Sequence, residues 1–69
     1  MRFDLRLHGR TTSGKDCVLE TSVYAASGQQ LQEEAARAAT EGPWYYQGST
    51  ELVPETEAIT VERVEQLKK

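Results

Sequence analysis

Residues 9–16, GRTTSGKD, contain the one spacing in this chain that suggests phosphate chemistry. Gly9, Gly14 and Lys15 fit the pattern G-x-x-x-x-G-K-[ST], a loop whose backbone amides and lysine surround the phosphates of a nucleotide. The last position holds Asp16 instead of the hydroxyl residue that binds Mg²⁺, and its carboxylate would lie close to the phosphates. A phosphate loop also leads into a helix, whereas the residues after Asp16 have the pattern of a strand. We therefore predict a hairpin turn here rather than a nucleotide site.

A nucleophile and base pair is the second chemistry to consider, because the chain has a single cysteine, Cys17, and a single histidine, His8. Alternation along their two strands puts Cys17 with the apolar residues and His8 with the arginines, on opposite faces. A free cysteine among apolar residues behaves as a small core residue. One histidine and one cysteine also supply too few ligands for a structural zinc site. The sequence predicts no catalysis, no metal and no other cofactor.

Two strands are predicted in the first third of the chain from the alternation of apolar and polar residues. In residues 2–8, Phe3, Leu5 and Leu7 alternate with charged residues and a histidine, which is typical of a strand with one buried face. Residues 16–25 are rich in β-branched and aromatic types, and apolar residues again occupy most alternate positions. The Gly, Ser and Thr residues between the two segments have the composition of a hairpin loop.

A single helix is predicted for about residues 28–41. Ser27 and Gln30 fit a capping box, in which the serine hydroxyl accepts an amide proton and the glutamine side chain reaches back. Gly42 and Pro43 then supply the stop. The apolar face of this helix is mostly alanine, so it can approach a sheet closely but fills little space. The larger side chains that we expect to fill the core are Phe3, Leu5, Leu7, Leu19, Val23 and Trp44.

The last third of the chain has a weaker pattern. Residues 44–53 are predicted to hold a strand that is broken near Gly48. Residues 58–65 contain the β-branched run Ile-Thr-Val, which favours a further strand. A helix beginning near Pro54 is the alternative for this segment, because valine and leucine also recur there at a spacing of three. We predict the strand.

Length and composition limit the fold and the class of protein. A chain of 69 residues has room for one domain, and a domain of this size buries only about 60% of the surface that its unfolded form exposes. The sequence contains no apolar run of membrane-spanning length and no signal-peptide core, and a secreted domain this small usually has several cysteines. We predict a single cytoplasmic domain, residues 1–69. Its predicted class is two-layer α+β, with one helix packed on an antiparallel sheet of three or four strands, in the order ββαβ or ββαββ.

Basic and acidic residues are unevenly distributed along the chain, whose net charge is −3. Arg2, Arg6, Arg10 and Lys15 make the first 15 residues basic, and the remainder is acidic. Nucleic-acid binding through this basic strand and hairpin is one interpretation, although an acidic body repels phosphate. The other is that the basic strand lies beside an acidic strand in the sheet, so that the two neutralise each other. We favour the second, and expect neither nucleic acid nor a membrane as the partner.

The segment VYAASGQQLQEEAARAA follows an alternating strand and precedes a final strand, AITVERVE. In this arrangement the chain resembles the small ββαβ proteins of phages and plasmids, of which the DpnD/PcfM-like family is one. Val23, Ala25 and Ser27 match the end of that family's strand, and Glu34 with Ala35 stands where its helix has an acid and alanine pair. The resemblance implies an accessory protein of a mobile genetic element without known catalysis, and it assigns no functional residue.

We predict a non-enzymatic protein-interaction module, such as an accessory or inhibitor protein, that binds a protein partner or forms a homodimer. The predicted binding surface is the face of the sheet away from the helix, where strand alternation brings basic and aromatic side chains together. Tyrosine and arginine are frequent anchors of protein interfaces, and one of two adjacent tyrosines is expected to reach this face. The predicted partner-binding residues are Arg6, His8, Val18, Tyr24, Tyr45 and Tyr46.

Overall fold

The computed structural model describes residues 1–67, and in them four strands and one helix follow the order ββαββ. The elements are β1 (Arg2–Thr11), β2 (Asp16–Tyr24), α1 (Gly28–Glu41), β3 (Tyr45–Tyr46) and β4 (Ile59–Leu67). The strands form one antiparallel sheet in the order β3-β2-β1-β4, and α1 packs on one face of it. The predicted α+β class, with one helix on an antiparallel sheet, is confirmed.

β1 and β2 form a hairpin whose register pairs Leu7 with Leu19 and continues to the turn. In the turn the Gly14 amide donates to the Thr11 carbonyl at 2.9 Å, and Gly14 has a φ of 88°, which glycine adopts without strain. The segment with the phosphate-loop spacing is therefore followed by a strand, and the predicted hairpin is confirmed. β1 continues to Thr11, beyond its predicted end at residue 8, because it pairs there with the start of β4.

α1 begins and ends where its capping residues predict. The Ser27 hydroxyl accepts the Gln30 amide proton at 3.2 Å, and the Gln30 side chain accepts the Ala26 amide proton at 2.7 Å. At the other end Gly42 has a φ of 66° and its amide donates to the Ala38 carbonyl. The predicted bounds, residues 28–41, are confirmed. No helix in residues 1–67 combines the length and the apolar composition needed to cross a membrane.

The core lies between α1 and the sheet. Its buried residues are Leu5, Leu7, Cys17, Leu19, Val23, Ala35, Trp44 and Val53. The predicted core residues are all among them except Phe3, which is partly buried and packs against the cluster. Trp44 fills the space that the small residues of α1 leave, and its indole donates to the Ala39 carbonyl at 3.0 Å. Trp44 and Ile59 come so close to Gly9 that a Cβ there would lie 3.1 Å from the indole and 2.8 Å from the isoleucine.

The last third of the chain contains less regular structure than predicted before β4. The strand predicted for residues 44–53 is reduced to the two residues of β3 and a single bridge between Tyr45 and Leu52. β4 is a strand, and the alternative of a helix from Pro54 is wrong. β4 pairs antiparallel with β1 along nearly its whole length, and a register shift leaves Glu62 as an extra residue, a β-bulge.

Candidate interaction surface

Charged side chains of alternating sign cross the sheet on the face away from α1, which we call the outer face. The register aligns Glu20 of β2 with Arg6 of β1, and Arg6 with Glu65 of β4. The Arg6 guanidinium lies 2.8 Å from the Glu20 carboxylate and 3.9 Å from the Glu65 carboxylate. Exposed pairs of this kind contribute at most about 1 kcal/mol each to stability. Their main effect here is to neutralise the charge of Arg6.

The other two arginines of β1 also have carboxylate partners, Arg10 on the neighbouring strands and Arg2 within β1 itself. Arg10 lies 3.2 Å from a carboxylate oxygen of Asp16, and Arg2 lies 3.3 Å from one of Asp4. Arg10 also approaches Glu62 of β4 at 3.8 Å. The interpretation that the basic strand lies beside acidic neighbours is therefore confirmed. A strand whose arginines all have carboxylate partners offers little uncompensated positive charge to a phosphate backbone.

His8 lies between Glu65 and Arg63 on the same face. Its Nε2 is 2.9 Å from the Glu65 carboxylate and 3.2 Å from the Arg63 guanidinium. The hydrogen bond with His8 lowers the pKa of Glu65, and the charges of Arg6 and Arg63 act in the same direction. Arg63 differs from every other arginine in residues 1–67, because no carboxylate lies within ion-pair distance of it there.

Cys17 and His8 lie on opposite faces of the sheet, as predicted. Cys17 is buried in the core, and the register pairs it with Gly9, whereas His8 pairs with Val18. Burial raises the pKa of the Cys17 thiol, so that it is protonated at neutral pH. Within the described part of the chain no three His, Cys, Asp or Glu residues are grouped so that they could hold a metal ion.

Most of the predicted partner-binding residues lie on the outer face by register: Arg6, His8, Val18, Tyr24 and Tyr45. Tyr46 faces the other way and packs against the core, with Lys15 Nζ 5.3 Å from its ring. Tyr24 is separated from Val18 and Tyr45 by about 20 Å, at about 3.3 Å per strand residue. The aromatic side chains therefore stand at two ends of a row of ion pairs rather than in one patch. Their role in binding stays a prediction.

A second open surface lies beside β4 on the face that α1 covers, which we call the inner face. Val61 and Val64 of β4 share this face with the core residues, yet 40% and 45% of their surface is exposed. On β2 the corresponding exposures are 3% for Leu19 and 8% for Val23. The difference arises because α1 lies mainly over β2 and leaves the inner face of β4 uncovered at Val61 and Val64.

An apolar groove of about 480 Å³ separates α1 from β4. Its lining includes Leu7, Leu31, Ala35, Ala36, Val61, Val64 and Gln66. The groove runs beside the free edge of β4, with which no strand in residues 1–67 pairs. We call the groove and this edge together the β4 surface. A free strand edge beside an apolar groove is the arrangement by which a protein segment extends a sheet and inserts its side chains.

The β4 surface contains residues that the sequence alone does not assign to any site. Strict alternation would put Val61 and Val64, which are three residues apart, on opposite faces of a strand. The bulge at Glu62 brings both of them to the inner face. The alanine-rich face of the single helix α1 is a sequence signal that part of the sheet stays uncovered, because this face is too narrow to cover a whole sheet. That signal does not specify which strand remains uncovered.

Comparison of the chain with protein-family models, with curated proteins and with solved structures finds no match. The candidate surface therefore rests on the geometry and charge of the described residues. The resemblance to the DpnD/PcfM-like proteins, and the accessory role that it implies, stay predictions.

Proposed function

We propose that this chain is a non-enzymatic protein-interaction module whose partner binds at the β4 surface. The observation that carries the proposal is the exposure of Val61 and Val64 beside a strand edge that is free in residues 1–67. A strand donated by the partner would form hydrogen bonds with the backbone of β4, and its apolar side chains would enter the groove. The accessory or inhibitory role of such a module in a mobile genetic element belongs to the same proposal.

The energetic contribution of the groove is moderate. Complete burial of a valine side chain contributes about 1.5–3 kcal/mol relative to full exposure. Val61 and Val64 are each a little less than half exposed. Covering both would therefore contribute on the order of 2 kcal/mol, before the cost of association is subtracted. Backbone pairing along β4 and complementary charges must supply the remainder of the affinity and most of the specificity.

Nucleic-acid binding through the basic N-terminal strand and hairpin is the alternative function. The ion pairs of Arg2, Arg6 and Arg10 argue against it, because each would have to be broken before the guanidinium reaches a phosphate. Titration with a single-stranded and a double-stranded oligonucleotide separates the two functions. Nucleic-acid affinity would fall steeply as salt is added, whereas apolar docking at the β4 surface would change little.

Photocrosslinking from the β4 surface tests the proposal. A benzophenone amino acid replaces Val61 in the full chain, and a matched variant carries it at Thr60, the adjacent position on the opposite face. We expect protein adducts from position 61. Adducts with another protein should be abolished by excess unlabelled parent chain and not by excess Val61→Lys chain, whereas adducts with a second copy should contain the unlabelled parent chain. Position 60 should give few adducts. Equal adducts from both positions, equal competition by Val61→Lys, or adducts that nuclease treatment removes would contradict the proposal.

A further inference from the structure

We propose that the partner at the β4 surface is a second copy of this chain, paired antiparallel through β4 about a two-fold axis at Val64. This inference rests on the proposed function and names its partner. Pairing of this kind joins the two sheets edge to edge, with β4 of each copy in the centre. Four observations carry it: the charge row that ends at Glu65, the absence of a carboxylate within ion-pair distance of Arg63 in residues 1–67, the comparison of registers, and the apolar row that ends at Val64.

The charge row on the outer face ends at the free edge with an acidic residue. From β2 to β4 the row reads Glu20, Arg6, Glu65, so that negative, positive and negative side chains face one another across the sheet. In antiparallel pairing about Val64, Arg63 of the second copy stands directly opposite Glu65. Opposite charges at directly facing positions stabilise strand pairing. The alternation of charge thus continues across the interface without interruption.

Arg63 is the complementary half of the same contact. It ends the adjacent row, in which Val18 and His8 precede it, and in residues 1–67 it has no carboxylate within ion-pair distance. The two-fold axis sets Glu65 of the second copy opposite this guanidinium. Each chain therefore contributes one acidic and one basic side chain, and the two-fold symmetry generates the contact twice.

Of the three adjacent registers, one has complementary charges. Pairing centred on Arg63 sets this arginine opposite itself, and pairing centred on Glu65 sets that glutamate opposite itself. Pairing centred on Val64 sets arginine opposite glutamate on both sides of the axis. If the two-fold axis lay between two residues instead of at one, inner-face residues would stand opposite outer-face residues. Such a register is incompatible with one continuous core face.

The inner face is self-complementary about the same axis. A row of apolar residues crosses the sheet from Leu19 through Leu7 to Val64 and stops at the free edge. In the proposed pairing Val64 of one copy faces Val64 of the other, so the row continues into the second copy. The bulge at Glu62 confines regular pairing to residues 63–65, because residues 66 and 67 would face residues 62 and 61 of the second copy, and the interface is short. We therefore expect a reversible dimer whose population depends on concentration.

Charge reversal with rescue tests the proposal. The self-association of four full-length chains is measured by sedimentation equilibrium: the parent, Arg63→Glu, Glu65→Arg, and the double variant with both changes. We expect each single reversal to set like charges opposite each other and weaken dimerisation at least about tenfold, because two symmetric contacts are lost. The double variant should restore most of the affinity, because opposite charges again face each other.

Controls distinguish the interface from general effects of charge and folding. Arg37→Glu makes the same change on the outward side of α1, beside Glu34, and should leave dimerisation unchanged. Circular dichroism checks the fold of each variant. The single variants Arg63→Gln and Glu65→Gln remove a charge without reversing it, and each should weaken the dimer less than the corresponding reversal. These neutral variants keep the test valid if a reversal prevents folding.

A parent chain that stays monomeric at millimolar concentration would overturn this inference. Dimer affinity that is unchanged by the single reversals, or that the double variant does not restore, would overturn it as well. The proposed function would survive such a result if photocrosslinking from position 61 still gave specific adducts with another protein. Absence of specific adducts from position 61, in purified protein and in cell extract alike, together with a monomeric parent chain, would overturn both.

Discussion

β2 and β4 flank the same central strand, β1, and both turn apolar side chains to the inner face, yet only β2 is covered. Leu19 and Val23 of β2 are 3% and 8% exposed, whereas Val61 and Val64 of β4 are 40% and 45% exposed. α1 follows β2 after a connection of three residues, 25–27, and so lies over that strand. Alternation, together with the bulge at Glu62 in β4, determines the face that a side chain takes, and the position of the helix determines whether it is buried there.

The two strands also differ at their edges. β3 pairs with one end of β2 through Tyr45 and Tyr46, although the pairing covers only two residues. In residues 1–67 no strand pairs with the outward edge of β4, which spans Ile59–Leu67. Natural sheets usually shorten, charge or cover such edges, because an edge strand is a template for pairing with another chain. β4 has charged residues and a bulge, but in the proposed register its Arg63 and Glu65 would face the opposite charges of a second copy.

Replacement of a covered leucine should have the largest effect. Leu19→Ala on β2 is expected to cost about 2–5 kcal/mol of unfolding free energy, because it leaves a cavity in a core that the alanines of α1 cannot fill. Leu52→Ala is the matched control, since that leucine is 53% exposed in the connection before β4. Its cost should stay below about 1 kcal/mol. Urea denaturation measures both, and equal costs would contradict the assigned core.

The start of β4 is packed even though its middle is open, and Gly9→Ala tests this difference. A Cβ at Gly9 would lie 2.8 Å from Ile59 and 3.0 Å from the Thr60 carbonyl, so the strands must shift. We expect a loss of about 1–3 kcal/mol, as is usual for overpacking. Gly28→Ala is the control, because no atom lies within 4 Å of a Cβ there. Thermal unfolding measures both variants. A larger loss of stability in Gly28→Ala than in Gly9→Ala would be inconsistent with this packing.

A matched pair of valines tests the comparison of the two strands itself. Val23→Ala on β2 should cost about 1.5 kcal/mol or more, at about 0.8 kcal/mol per buried methylene equivalent. Val64→Ala on β4 should cost clearly less when both are measured at a concentration where the chain is monomeric. At high concentration the cost of Val64→Ala should rise, because dimerisation stabilises the folded state. Equal losses of unfolding free energy for the two substitutions at low concentration would contradict the uncovered position of Val64 on β4.

Acid should remove a small contribution of Glu65 to stability. The hydrogen bond with His8 and the charges of Arg6 and Arg63 lower the pKa of this carboxyl in the folded chain. Its contribution is therefore present above the ordinary pKa of glutamate and is lost as the pH falls through the lowered pKa. Glu65→Gln should flatten this part of the curve of unfolding free energy against pH. A steeper curve in the variant would mean that Glu65 is not stabilised in this way.

The elements governed by local patterns could be predicted from the sequence. The capping residues Ser27 and Gly42 determine the bounds of α1, and the alternation of Leu5 and Leu7 determines the buried face of β1. Such signals involve residues that are close together in the chain. The hairpin at Gly14 was predictable for the same reason, since the residues on both sides of it have strand patterns.

The candidate surface could not be predicted, because it depends on contacts between distant parts of the chain. The order β3-β2-β1-β4 sets Glu20 and Glu65 on either side of Arg6, and neither neighbour can be read from the residues around that arginine. The extension of β1 to Thr11 likewise requires β4 as a partner. The sequence predicts that acidic neighbours neutralise the basic strand, but the partner of each arginine, and the position of Arg63 as the exception in residues 1–67, depend on the register of distant strands.

Amide hydrogen exchange at low and high protein concentration tests most directly the claim that a second copy closes the free edge of β4. If a second copy pairs there, the amides of residues 63–65 that point away from β1 should exchange more slowly as concentration rises. The amides of residues 20–24 on β2 should exchange at an unchanged rate. Exchange on β4 that does not depend on concentration, or added protection on β2 instead, would contradict the account.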